Sequence, residues 1–125
     1  MGRYYSGNIE GKFWFGLQSS RVGERFGAYE HDSNLILYQI NDKQIAIDEM
    51  KNIKEVLGKS LELFDKFFKE HVGYNDEMLK EYFEKNNTKL TRELLSDYAD
   101  YCFGRDVIRH FERTGATTCW FEAEC

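Results

Sequence analysis

This sequence predicts an α+β domain with an antiparallel sheet, on three observations. Residues 3–40 are crowded with aromatic and β-branched side chains bounded by Gly and Asn, the pattern of hairpin strands. From about residue 41 to 113, apolar residues recur every three or four positions, which is the helical period. Residues 117–124 then return to alternation with a period of two. Strands, then helices, then one returning strand place the helices on one face of a mostly antiparallel sheet. The 125 residues suit a single domain over 1–125, and no repeat or linker divides them.

Proline is absent and six of the ten glycines fall in the first 27 residues, so Gly, Asn and Asp must make the turns. Arg3–Ser6, Ile9–Gly11 and the run Lys12–Gln18 read as hairpin strands. In that run Phe13, Phe15 and Leu17 point one way, and Lys12, Trp14, Gly16 and Gln18 the other. Glu30–Asn34 is polar and reads as a turn. Asn34–Ile40 is a strong strand, and its nearly continuous apolar content predicts a central position covered on both faces.

Two routes lead on from Ile40. Asn41-Asp42 could turn the chain into a short strand, Gln44–Ile47, with Asp48 capping the next helix. Alternatively Asn41 caps the helix directly, with Gln44 completing a capping box; the balance favours this early start. A long helix then runs to about Glu70 on a stripe of Met50, Ile53, Leu57, Leu61, Phe64 and Phe68. Lys51, Glu55, Lys59, Glu62 and Lys66 form its solvated side. Asn75 caps a short helix containing Met78, Leu79, Tyr82 and Phe83, with Tyr74 stapled to Leu79.

Thr88 or Thr91 caps a last helix that ends near Arg113, with Gly115 as its C-cap. Leu94/Leu95, Tyr98, Tyr101/Cys102, Arg105, Ile108 and Phe111 mark the predicted inner face. In the final strand Cys119, Phe121 and Ala123 face in, while Thr118, Trp120, Glu122 and Glu124 face out.

Seventeen basic and 22 acidic residues give a net charge of −5, which argues against direct nucleic-acid binding. The acidity is concentrated in residues 44–87, with ten acidic against seven basic side chains. Such a protein can still occupy the nucleic-acid groove of another protein. No run approaches the roughly 18 apolar residues of a membrane span, and the N-terminus has no signal-type apolar stretch. The expectation is a soluble cytoplasmic protein without membrane contact. Cys102, Cys119 and Cys125, odd in number and irregularly spaced, read as free thiols.

Catalytic signatures are weak. Cys102 and His110 are two helical turns apart, too far for a hydrogen bond along one helix. No G-x-S-x-G turn, C-x-x-C, H-E-x-x-H, calcium loop or phosphate-loop motif occurs, so no catalytic residue, metal or cofactor is assigned. Asp97, Asp100, Arg105, Asp106 and Arg109 alternate in sign along the last helix, which reads as surface ion pairs. The distinctive feature is aromatic. Tyr5, Trp14, Tyr29 and Trp120, with Tyr4 beside them, sit where alternation permits exposure and are candidate partner-binding residues. The same positions would also suit a second covered face of the sheet.

The opening Gly2–Ser20 and the ending Cys119–Glu124 resemble those of small proteins from phage, other viral and metagenomic genomes. The resemblance implies a viral accessory gene acting in the host cytoplasm, and it carries no activity with it. By analogy with small viral proteins that block host machines, it suggests a non-enzymatic, anti-CRISPR-like inhibitor of a host defence system. Its partner would be a host protein, for instance a nucleic-acid-binding defence effector. Two alternatives stand beside it. One is a small hydrolase or nuclease assembled from His31, Asp32, His110 and Cys119. The other is a virion or oligomer-forming part, such as a homodimer joined at a sheet edge.

Overall fold

A computed structural model describes residues 4–13, 18, 22–32, 37–70 and 76–123. Among these described residues five strands form one antiparallel sheet: β1 (Tyr4–Gly7), β2 (Gly11–Lys12), β3 (Tyr29–Asp32), β4 (Leu37–Ile40) and β5 (Cys119–Ala123). Four helices, α1 (Lys43–Leu57), α2 (Lys59–Glu70), α3 (Asp76–Lys85) and α4 (Arg92–Thr114), join a 3-10 turn at Val22–Phe26. The class is α+β, with N-terminal hairpins and a returning C-terminal strand.

The strand order is β2-β1-β5-β4-β3. Each N-terminal hairpin leaves one edge open, and β5 fills the gap between them. It pairs Phe121 with Gly7 on one side and with Tyr38 on the other. The central strand is therefore β5, and β4 lies next to an edge. β4 also alternates, with Tyr38 and Ile40 buried and Gln39 half-buried, so it is not covered on both faces. The turn expected at Glu30–Asn34 is replaced through Asp32 by β3, with a register shift between Glu30 and Asp32. A polar segment is tolerated there because β3 is an edge strand.

Asp42 caps α1: its Oδ1 accepts from the Gln44 backbone N–H at 2.9 Å. The helix thus starts early, one residue later than an Asn41 cap would place it, and the Gln44–Ile47 strand does not form. The single helix expected to run to Glu70 is broken at Gly58, which adopts φ 51°, ψ −127°. That conformation is open to glycine at little cost and to other residues hardly at all. The break is silent in the apolar stripe, because the helical period resumes in phase. Met50, Ile53, Leu57 and Phe64 are buried as the stripe predicts, while Leu61 and Phe68 are only half-buried and Phe67 takes a core place that the stripe did not give it. Lys51, Glu55, Lys59, Glu62 and Lys66 are all exposed.

Leu79 and Phe83 anchor α3; the predicted Asn75 cap and Tyr74 staple lie outside the described residues. Thr91 caps α4, accepting from the Leu94 N–H at 3.1 Å, and Gly115 closes it in the left-handed conformation. The phase of α4 differs from expectation. Leu95, Tyr98 and Phe111 are buried as expected, but between them the inner face runs through Ala99, Phe103, Val107 and His110, while Tyr101, Cys102, Arg105 and Ile108 are only half-buried. Close approach explains the rotation. A Cβ on Gly104 would run into the Phe26 ring and the Met50 sulfur, so the helix turns its smallest residue toward the 3-10 turn and α1.

Aromatic rings fill two connected regions of the core. Under the sheet, Phe103 packs on Tyr5, Phe26 and Phe121 at centroid distances of 4.9, 5.7 and 5.3 Å. Between the helices, Phe64 meets Tyr98 at 4.6 Å and Phe83 at 4.7 Å. Cys102 and Cys119 are unpaired thiols, and Cys125 lies outside the described residues. No described helix is long and apolar enough to cross a membrane.

Candidate functional site

Alternation along the strands divides the sheet into a core face and an open face. On β5, Cys119 and Phe121 are buried while Trp120 and Glu122 are exposed, as the sequence predicts. Asn8 holds Trp120 in place. Its backbone N–H donates to the Trp120 carbonyl at 2.9 Å, and its Oδ1 accepts from the Trp120 N–H at 3.0 Å.

Directly opposed residues in an antiparallel ladder share a face. Trp120 pairs with Gln39, and Gln39 pairs with Tyr29, so the three form a row across β5, β4 and β3. The two aromatic positions are about 10 Å apart, two interstrand spacings. Trp120 is 43% exposed and Tyr29 44%. Gln39 Nε2 donates to Asn41 Oδ1 at 2.7 Å, and Asn41 Nδ2 donates to the Tyr29 hydroxyl oxygen at 3.0 Å. This chain of amides steadies the tyrosine. Tyr4, 48% exposed, adds a third ring on β1.

Tyr5 does not belong to this surface. It is 5% exposed, its ring lies 5.1 Å from Phe13 and 4.9 Å from Phe103, and its hydroxyl donates to Asp106 Oδ2 at 2.8 Å. The inward phase of β5 sets the register, and Tyr5 pairs with Ala123 in that phase. Burial, with Asp106 beside it, raises the phenol well above its usual range and keeps it a donor. Trp14 lies outside the described residues. Gln39 and Asn41 were missed in the sequence, because an amide carries no signal until its neighbours are known.

His31 and Asp32 do not pair with Cys119 across the sheet. His31 and Asp32 are on β3, which β4 separates from Cys119 on β5. His110 is buried, with Nε2 3.2 Å from the Thr118 carbonyl oxygen. Burial pushes the Cys119 thiol up to about 12, and burial foremost pushes Cys102 up to about 11. A nucleophilic cysteine needs the opposite shift. Among the described residues, no group of three or more His, Cys, Asp or Glu is placed to hold a metal ion.

Asp97 and Asp100 do form ion pairs, with a partner that their own helix does not supply. Arg25 of the 3-10 turn reaches Asp97 at 3.1 Å, Asp100 at 2.8 Å and Glu49 of α1 at 2.8 Å. Gln18 adds bonds to the Ala99 carbonyl at 3.0 Å and to Asp100 at 3.2 Å. Burial raises the Asp100 pKa, and Arg25 only partly offsets it. The cluster ties three elements together and is accounted for as a tertiary clamp.

No family model, curated protein or solved structure matches the chain. Among the described residues, Trp120, Tyr29 and Tyr4 are large aromatic side chains left exposed on the open face of the sheet.

Proposed function

We propose that this chain is a non-enzymatic binding protein that engages a host protein through the open face of its sheet. The observation that carries the reading is the exposure of Trp120, Tyr29 and Tyr4 on one face, while the opposite face of the same strands is core. Rings held on a rigid sheet lose little freedom on docking, and Trp and Tyr are the residues that most often anchor interfaces. Gln39 and Asn41 between the rings supply hydrogen bonds without net charge, which suits a protein surface better than a phosphate backbone. The resemblance of both chain ends to small phage and viral proteins supports a narrower form of the proposal. In that form the protein is a phage accessory factor, and its partner is a host defence effector that it inhibits.

The test is capture from host lysate followed by measured affinity and inhibition, with every variant first checked by melting. Trp120→Ala is expected to weaken binding about thirtyfold, corresponding to roughly 2 kcal/mol, and Tyr29→Ala to weaken it to a lesser degree. Cys119→Ser and His31→Ala should leave inhibition intact. A folded Trp120→Ala, Tyr29→Ala double variant with full affinity and inhibition would remove the face from consideration. Loss of activity in folded Cys119→Ser with the double variant still active would favour the enzyme instead.

A further inference from the structure

The alternating charges of α4 do not neutralise one another as surface pairs. Among the described residues neither Arg105 nor Arg109 forms a salt bridge, in a protein where acids outnumber bases 22 to 17. The nearby carboxylates accept hydrogen bonds from phenols, and Asp65 still acts electrostatically on Tyr101. Asp106 accepts from the Tyr5 hydroxyl at 2.8 Å, and Asp65 accepts from the Tyr98 hydroxyl at 2.8 Å.

Tyr101, Arg105 and Arg109 follow one another at four-residue spacing, so they share a stripe of α4 turned away from buried Phe103 and Val107. The Arg105 Cζ lies 5.9 Å from the Tyr101 ring centroid, a stacking distance that orients the guanidinium. Its Nε is the one buried side-chain nitrogen or oxygen among the described residues that has no hydrogen-bond partner. The side chain as a whole is half-buried, and an unmade hydrogen bond at its shielded nitrogen carries a cost that an acceptor would relieve. Arg109, one turn further on, is exposed and adds a second guanidinium. Both arginines bear on the Tyr101 phenol, which burial still holds above its usual range and therefore protonated.

We propose that Tyr101, Arg105 and Arg109 form a binding site for a phosphate group. Two guanidinium forks and a phenol match the several oxygens of a phosphomonoester better than the two of a carboxylate. The phosphate would belong either to a nucleotide or to a phosphorylated side chain of a partner. This site is on α4 and does not depend on the reading of the sheet face.

The experiment follows the arginine Nε–Hε resonances of the 15N-labelled full chain during titration with inorganic phosphate, against sodium chloride at matched ionic strength. A saturable shift at Arg105, absent in chloride, is expected. Arg109→Gln should weaken the binding read at Arg105 by about tenfold, Arg105→Gln should do the same for the binding read at the Arg109 Nε–Hε, and Lys51→Gln should change nothing. Because Arg109 is exposed, its variant keeps the test decisive even if Arg105→Gln lowers the melting temperature. Parallel titrations with adenosine monophosphate and with phosphoserine identify the source by the tighter of the two. Shifts that chloride reproduces, or that persist unchanged in folded Arg109→Gln, overturn the site.

Discussion

Cys119 shows how a single side chain carries a consequence for chemistry. Its thiol is buried on the inward phase of β5, and burial alone lifts its pKa to about 12. A thiol raised in the folded state contributes stability that is present below its unfolded pKa and lost as pH rises through the folded one. Stability is thus expected to decline between pH 9 and about 12. Cys102, raised to about 11, acts in the same direction. Near neutral pH, iodoacetamide should spare Cys119 in the native protein, and all three cysteines should react once the chain is denatured. Rapid native labelling of Cys119 would show that the strand is not packed as described. At this scale the sequence was informative about polarity and poor about exposure. Trp120 lies outward as alternation requires, but Tyr5 lies inward, because its phase depends on pairing with a strand more than a hundred residues away.

At the scale of the element, caps and periodicity were legible and rotation was not. Thr91 and Gly115 bound α4 by local hydrogen bonds that the sequence announces. The direction its inner face takes depends on what it meets, and it meets the 3-10 turn and α1 most closely at Gly104. Gly104→Ala is accordingly expected to destabilise by about 1–3 kcal/mol through overpacking against Phe26 and Met50, despite the better helix propensity of alanine. Denaturant melts read this directly. A stabilised variant would mean that α4 sits farther from α1 than the structure places it. The break at Gly58 was similarly hidden, since a glycine inside an in-phase stripe is compatible with an unbroken helix.

For the whole molecule, β5 is the keystone: it joins two hairpins that are otherwise separate sheets. Removing residues 119–125 should abolish cooperative unfolding and collapse amide dispersion in NMR spectra, because β1 and β4 lose their shared ladder along with Cys119 and Phe121. Retention of a cooperative melt would show that the helices suffice without the central strand.

The class, the Gly115 C-cap, the apolar stripe through Met50, Ile53, Leu57 and Phe64, and the outward Trp120 follow from the sequence alone. Each rests on interactions within a few residues or on one periodicity. Strand order, the inward turn of Tyr5, the Tyr29–Gln39–Trp120 row and the grip of Arg25 on Glu49, Asp97 and Asp100 were decided only by tertiary structure. These join positions up to 118 residues apart, as Tyr5 and Ala123 do. Local patterns state which face a side chain favours; only the register of distant strands and the closest approach of helices determine which neighbours it meets there.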